Sequence, residues 1–166
     1  MFKMEIGERV ASKGVDVVKF NIEKVIKFLE QEESLGKINP MLLEIKTLLN
    51  NEGVYKIIYM EYKGIWPVSN RDFVNVSVKK RESEGKMYIG TKSMDYPHPA
   101  KEGTVRGEVF IGGYVLEKID EETTRVTYIS DADLKGAIPG MIKNTLSSKQ
   151  GEIASKIAPI MQKEGY

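Results

Sequence analysis

The sequence predicts an α+β fold in which a curved antiparallel β-sheet wraps around a long C-terminal α-helix. Three observations carry that expectation. Residues 138–162 are the only segment that reads as a long amphipathic helix. Residues 41–133 read as short strands separated by turns, with no βαβ unit, so their pairing is mostly antiparallel. A helix laid on such a sheet buries its apolar face only if the sheet curves around it. Whether solid core or cavity lies between the two decides the function.

At 166 residues the chain is expected to form one domain, residues 1–166, large enough for a sizeable core. It has no cysteine, hence no disulfide, thiolate metal site or thiol nucleophile. Lys plus Arg total 25 and Asp plus Glu 24, a formal charge of +1 that offers no broad argument for nucleic acid. The basic run Lys79, Lys80, Arg81 is broken by Glu82 and Glu84 and reads as a solvated hairpin end. Charges at Lys3, Glu5, Glu8 and Arg9 are foreign to a signal peptide, and no window approaches the roughly 20 apolar residues of a membrane span. A soluble, cytoplasmic protein is the expectation.

Taken in order, residues 2–11 alternate weakly and predict a first strand with Gly7 as a bulge; 15–20 predict a second. Asn21 can cap a helix whose stripe is Ile22, Val25, Ile26 and Leu29. Gln31, Glu32, Glu33 and Ser34 end that helix in water, and 35–40 form a connection. Residues 41–49 fit neither the helix nor the strand period. The turn-like Asn50-Asn51-Glu52-Gly53 favours a strand there, hairpinned to 54–63. Further strands are expected at 73–80, 86–94, 104–112, 114–119 and 124–132. In the last helix Pro139 takes the first helical position and Pro159 predicts a kink. One face carries Ile138, Met141, Ile142, Leu146, Ile153, Ile157 and Ile160 or Met161. The wet face carries Lys143, Asn144, Ser147, Ser148, Gln150 and Glu152.

The octet Trp66-Pro67-Val68-Ser69-Asn70-Arg71-Asp72-Phe73 is unusual for a turn. His98-Pro99, Val105-Arg106, Gly112-Gly113-Tyr114, Val126-Thr127-Tyr128, the run Asp133-Leu134-Lys135-Gly136-Ala137-Ile138-Pro139 and Asn144 follow it in order. Together these resemble the START (StAR-related lipid-transfer) domain family across about residues 54–160. The resemblance implies a helix-grip fold with a lipid-sized tunnel between sheet and C-terminal helix. It also implies that the family's first helix is absent from this shorter chain, and that the loop around His98 lies beside the tunnel mouth.

Each motif residue has a physical reading. Trp66 offers a large apolar area and Pro67 fixes the chain direction. Arg71 and Asp72 are neighbours on a strand, so they point to opposite faces and need separate partners. Arg106 has Asp131 or Asp133 as plausible partners. With Asp133, Gly136 and Pro139, these residues read as structural. His98 is the only histidine, which limits general-base chemistry. There is no Ser-His-Asp set, metal-ligand cluster or phosphate loop, so no catalytic residue, metal or cofactor is assigned. Glu61, near Tyr59, is the weak catalytic alternative.

On the strand after the octet, hydrophobicity alone turns Val74, Val76 and Val78 inward. The resemblance implies the reverse, with Asn75 and Ser77 in the tunnel, and Ser77 stands where several family members carry a buried arginine. A hydroxyl or other neutral head group is therefore favoured. Tyr59, Tyr114 and Tyr128 are candidate wall residues, and Met141, Ile142, Thr145 and Leu146 the underside of the lid. The expected activity is lipid binding and transfer, not an enzymatic reaction. The ligand is sterol, phospholipid or fatty-acid-like, contact with membranes is transient, and nucleic acid is not a partner. The alternatives are a polyketide-cyclase-like enzyme and an interaction module with a filled cavity.

Overall fold

The computed structural model describes residues 2–6 and 9–166; the bulge expected at Gly7 lies outside them. In chain order the elements are β1 (Phe2–Ile6), β2 (Arg9–Val18), α1 (Ile22–Leu29), α2 (Glu32–Ile38), β3 (Leu42–Asn51), β4 (Tyr55–Tyr62), β5 (Asn70–Ser83), β6 (Lys86–Ser93), β7 (Thr104–Arg106), β8 (Glu108–Asp120), β9 (Thr123–Asp133), α3 (Gly140–Gly151) and α4 (Ile153–Glu164). The strands form one sheet in the order β1-β2-β9-β8-β6-β5-β4-β3, antiparallel at every step. The short β7 is the exception, running parallel to β5 at Asn70 to Asp72.

Helices α3 and α4 pack on β2 and β9, and α2 joins the far edge strand β3 to α4. The sheet therefore grips the C-terminal helices, with α1 and α2 closing one end. That end is solid. Val25, Phe28, Ile38, Ile157 and Met161 are almost fully buried there against Val18, Leu116 and Val126 of the sheet. By contrast, α3 buries fully only Ser147.

Several boundaries differ from the sequence reading, each for a local reason. The two strands expected at 2–11 and 15–20 divide before Arg9, and β2 runs unbroken to Val18 along β9. Ser12 and Gly14 look like a break because they are small and polar. Gly14 is small because a helix presses on it: a Cβ there would lie 2.2 Å from the carbonyl oxygen of Gly151. Residues 35–40 are not a plain connection, because Ser34 and Ile38 turn into the core as helix α2. The pattern of 41–49 fits no template because β3 carries irregularities at Leu42/Glu44 and Thr47/Leu49 that reset its alternation.

Strand β8 passes straight through Gly112 and Gly113. Gly113 has φ 131° and faces the sheet so closely that a Cβ would meet the Ile89 carbonyl at 1.9 Å. The interruption falls at Gly107 instead, where the backbone N–H donates to the Asp72 carbonyl at 2.9 Å. The C-terminal helix is broken at Glu152 rather than at Pro159, beside Gly151, a poor helix former, where the chain crosses Gly14. Pro139 caps α3, one position ahead of its expected place.

Two glycine substitutions separate close approach from simple flexibility. Gly14→Ala is expected to cost about 2–3 kcal/mol in urea denaturation by overpacking. Gly36→Ala, with open space around its Cβ, is expected to stabilise by about 0.5–1 kcal/mol. Equal effects at both positions would contradict the helix-to-strand contact.

Candidate functional site

A cavity of about 370 Å³ lies between the sheet and helices α2 and α3, within the roughly 300–1,000 Å³ range of small-molecule sites. Its main wall follows from strand alternation. In β5 Phe73, Asn75 and Ser77 face it, opposite Met60, Ile58 and Lys56 of β4 in register. The valines of β5 face outward: Val74 packs with Ile57 and Tyr59 in a second apolar layer, and Val78 is exposed. Tyr114 of β8 and Tyr128 of β9 close the far side, their rings 5.1 Å apart.

The roof is Leu146, Gln150 and Ile153, spaced i, i+4, i+7. The predicted lid stripe is thus rotated. Met141 is 81% exposed, Thr145 is exposed with its hydroxyl donating to the Met141 carbonyl, and half-buried Ile142 is not on the cavity wall. Two residues assigned to the wet face turn inward instead. Gln150 accepts the Tyr128 hydroxyl proton at 2.7 Å, and the Ser147 hydroxyl donates to the Ala11 carbonyl at 3.0 Å. Helix spacing from Leu146 pointed to Gln150, but its polarity argued against it.

Tyr59 does not line the cavity. It sits on the outer face, stacked 4.7 Å from His98, and burial beside the Asp72 carboxylate raises its phenol to about 12. The loop around His98 covers that outer face too; no residue from 92 to 108 lines the cavity, so this loop is not its mouth. Glu61 also points outward, held below the usual carboxylate range by Lys101 Nζ at 2.7 Å, with Asn70 Nδ2 at 2.9 Å.

Arg71 and Asp72 have separate partners on opposite faces of β5. Arg71 donates from Nε to the Leu134 carbonyl at 2.8 Å, from Nη2 to the Lys135 carbonyl at 3.0 Å and from Nη1 to the Ser69 carbonyl at 2.6 Å. It thereby fastens the turn in which Lys135 and Gly136 both have positive φ, just ahead of Pro139 and α3. The Asp133 side chain accepts from the Lys135 N–H at 2.8 Å in the same turn. Asp72, fully buried, accepts from Arg106 Nε at 2.7 Å and Nη2 at 3.2 Å and from the Lys101 N–H at 3.2 Å. Arg106 therefore pairs with neither Asp131, which binds Arg9, nor Asp133. Trp66, expected to bury a large apolar area, is 90% exposed, and its bond to Pro67 is cis.

Burial pushes the phenol of Tyr128 up to about 12 and raises those of Tyr62 and Tyr114 as well, so all stay protonated. Lining charges lie at both ends: Lys79 pairs with Glu30 and the Thr47 hydroxyl donates to Glu32 at the α1–α2 end, while Arg71 and Lys63 lie toward the other end of β4 and β5. Among the described residues no His, Cys, Asp and Glu cluster could hold a metal, and no helix is long and apolar enough to cross a membrane.

Comparison with known proteins places this geometry. The pattern that defines the START domain matches residues 11–165. The steroidogenic acute regulatory protein of Xenopus laevis is 30% identical over 171 aligned positions, covering 93% of this chain; the chain spans only 60% of that protein's length. Human StAR-related lipid transfer protein 5 superposes with a TM-score of 0.83 at 17% identity, over 93% of this chain and 76% of that one. An aromatase/cyclase from a Streptomyces species superposes at 0.68 with 10% identity, over 95% and 96%. At those identities the structural likeness speaks to the fold alone.

The outer network has a pH signature. Desolvation is the largest single influence on Asp72 and opposes its ionisation, but the hydrogen bonds from Arg106 and the Lys101 N–H and the Arg106 charge together outweigh it, so its folded pKa lies below the ordinary value, as does that of Glu61. Their contribution to stability is complete above the unfolded carboxylate range and lost as pH falls through the lower folded values. Asp72→Asn is expected to cost about 3 kcal/mol at pH 7 and to flatten the acid limb of the stability curve measured by urea denaturation. Wild-type stability in the variant would refute the role given to this carboxylate.

Proposed function

The chain belongs to the START domain family, and on that premise we propose that residues 1–166 act as one lipid-binding unit that carries an apolar ligand between membranes without covalent chemistry. The observation that supports this reading is the largely apolar space under α3, a helix held to the sheet by little buried surface. Hiding about 300 Å² of ligand surface there is worth about 7–8 kcal/mol, enough to keep a lipid out of water and of the order a bilayer returns. Exchange between the two environments then has a small net cost, and the barrier is the opening.

The wall residues of this reading are Asn75, Ser77, Tyr114, Tyr128 and Leu146, joined by Met60 and Gln150. Serine at position 77 puts a neutral hydroxyl on the β5 wall, which suits a sterol-like or other neutral ligand, the cations nearest it being Lys56 opposite and Lys79, which pairs with Glu30. A cyclase would need a titratable group aimed at the substrate, whereas the phenols facing this cavity stay protonated. A filled interaction module is disfavoured by the cavity itself.

Trp66 and Met141 suggest how the unit meets a membrane. Both are large and exposed. Trp66 lies in a segment whose neighbours Ile65 and Val68 line the cavity, and Met141 is at the start of α3, which Arg71 moors to that same segment through the 134–136 turn. An exposed indole flanked by cavity-lining residues suits the interfacial region of a bilayer.

Native mass spectrometry with lipid extraction is expected to find one lipid retained per chain. Leu146→Trp should lower uptake at least tenfold with unchanged circular dichroism; unchanged uptake would contradict a cavity under α3. Trp66→Ala should slow vesicle-to-vesicle transfer several-fold while equilibrium binding holds, and an unaltered transfer rate would remove Trp66 from the membrane contact.

A further inference from the structure

The hydrogen-bond relay behind Asn75 determines which end of its side-chain amide faces the cavity. The relay begins at the backbone N–H of Val109 in β8, which lies beyond the β6–β8 ladder ending at Thr91 and Gly112. That N–H donates to the Ser93 hydroxyl oxygen at 2.8 Å. A backbone N–H can only donate, so Ser93 spends acceptor capacity on it, and its single proton goes to Asn75 Oδ1, also at 2.8 Å. The amide oxygen is therefore committed to Ser93, and the NH₂ group is turned the other way.

What meets the NH₂ is a sulfur atom. Met60 Sδ lies 3.9 Å from Asn75 Nδ2, a weak acceptor for one of two protons. Asn75 is only 3% exposed, so water from outside hardly reaches it, and a buried donor without a good acceptor is costly. On one side the wall is apolar, Phe73 beside Met60 with Ile58 opposite Asn75; on the other Ser77 faces Lys56. A fixed donor where the apolar part of the wall meets the polar part fits an oxygen delivered by the ligand.

We infer that the cavity selects lipids that present a hydrogen-bond acceptor oxygen, carbonyl, ester, ether or hydroxyl, to Asn75 Nδ2, and that Ser93 is the positioning residue that holds the amide in that sense. This inference rests on the lipid-binding reading above. A ligand offering only donors at this point, such as an ammonium group, meets the wrong end of the amide. A pure hydrocarbon leaves the NH₂ unpaired.

The test compares matched probes by native mass spectrometry and competitive uptake: 5α-cholestan-3-one against 5α-cholestane, and a C16 methyl ketone against hexadecane. The ketone of at least one pair is expected to bind at least tenfold more tightly than its hydrocarbon. Asn75→Leu should reduce that preference below threefold. Ser93→Ala, which frees the amide to present either end, should lower it while the chain still takes up probe, a change that loss of structure alone would not produce. If wild-type protein takes up ketone and hydrocarbon equally in both pairs, the inference fails and the lipid-binding reading stands. If it takes up no probe at all, that reading fails and the inference with it.

Discussion

The first half of strand β5, Arg71 to Asn75, is buried on both faces, and that constraint organises the molecule. One face is the cavity wall; the other lies under a loop and a layer of ion pairs. Because successive side chains alternate, the adjacent charges Arg71 and Asp72 must be satisfied on opposite sides. Arg71 satisfies three carbonyl oxygens and so moors the turn that launches α3. Asp72 takes up Arg106 and the Lys101 N–H and so holds the 95–104 loop against the outer face. Two sequence neighbours thereby tie the roof of the cavity and the back of its wall to one strand.

The hollow is a consequence of unequal helices. The face of α4 is filled with Ile153, Ala154, Ile157 and Met161, and it meets α1 to make a solid core. The inner face of α3 offers Leu146, a glutamine and a serine, too little apolar volume to fill the space it spans. The contact of Gly151 on Gly14 sets the height at which the two halves pass over the sheet. The solid end supplies stability and leaves the α3 end free to be a container.

The polar groups of that container are arranged to avoid charge. The cavity phenols are kept protonated by burial, the Tyr128 hydroxyl is used by Gln150, and Arg71 spends its guanidinium on backbone carbonyls. Of the paired ionised groups, Lys79 and Glu30 lie at the α1–α2 end, and Lys101 with Glu61 and Arg106 with Asp72 on the outer face of the sheet. In a low-dielectric interior each unpaired charge would be costly, whereas a neutral donor such as Asn75 costs little to bury and still orients what it meets.

Much of this was legible in the residues themselves. The strand succession, the Asn21 cap, the hairpin at Asn50 to Gly53 and an amphipathic C-terminal helix are local properties. Period and turn chemistry report them directly, and the octet around Trp66 pointed to the family. The tertiary structure decided the rest, because it depends on contacts remote in sequence. The register of β5 between β4 and β6 turned Asn75 in and the valines out, against their hydrophobicity. The rotation of α3 put Gln150 inside and Met141 outside. Tyr59, two residues from Ile57, went to the outer layer with it. Arg106 found its partner 34 residues away, nearer acids notwithstanding. Periodicity identifies a face; only curvature and register determine what that face meets, and whether the space between is filled.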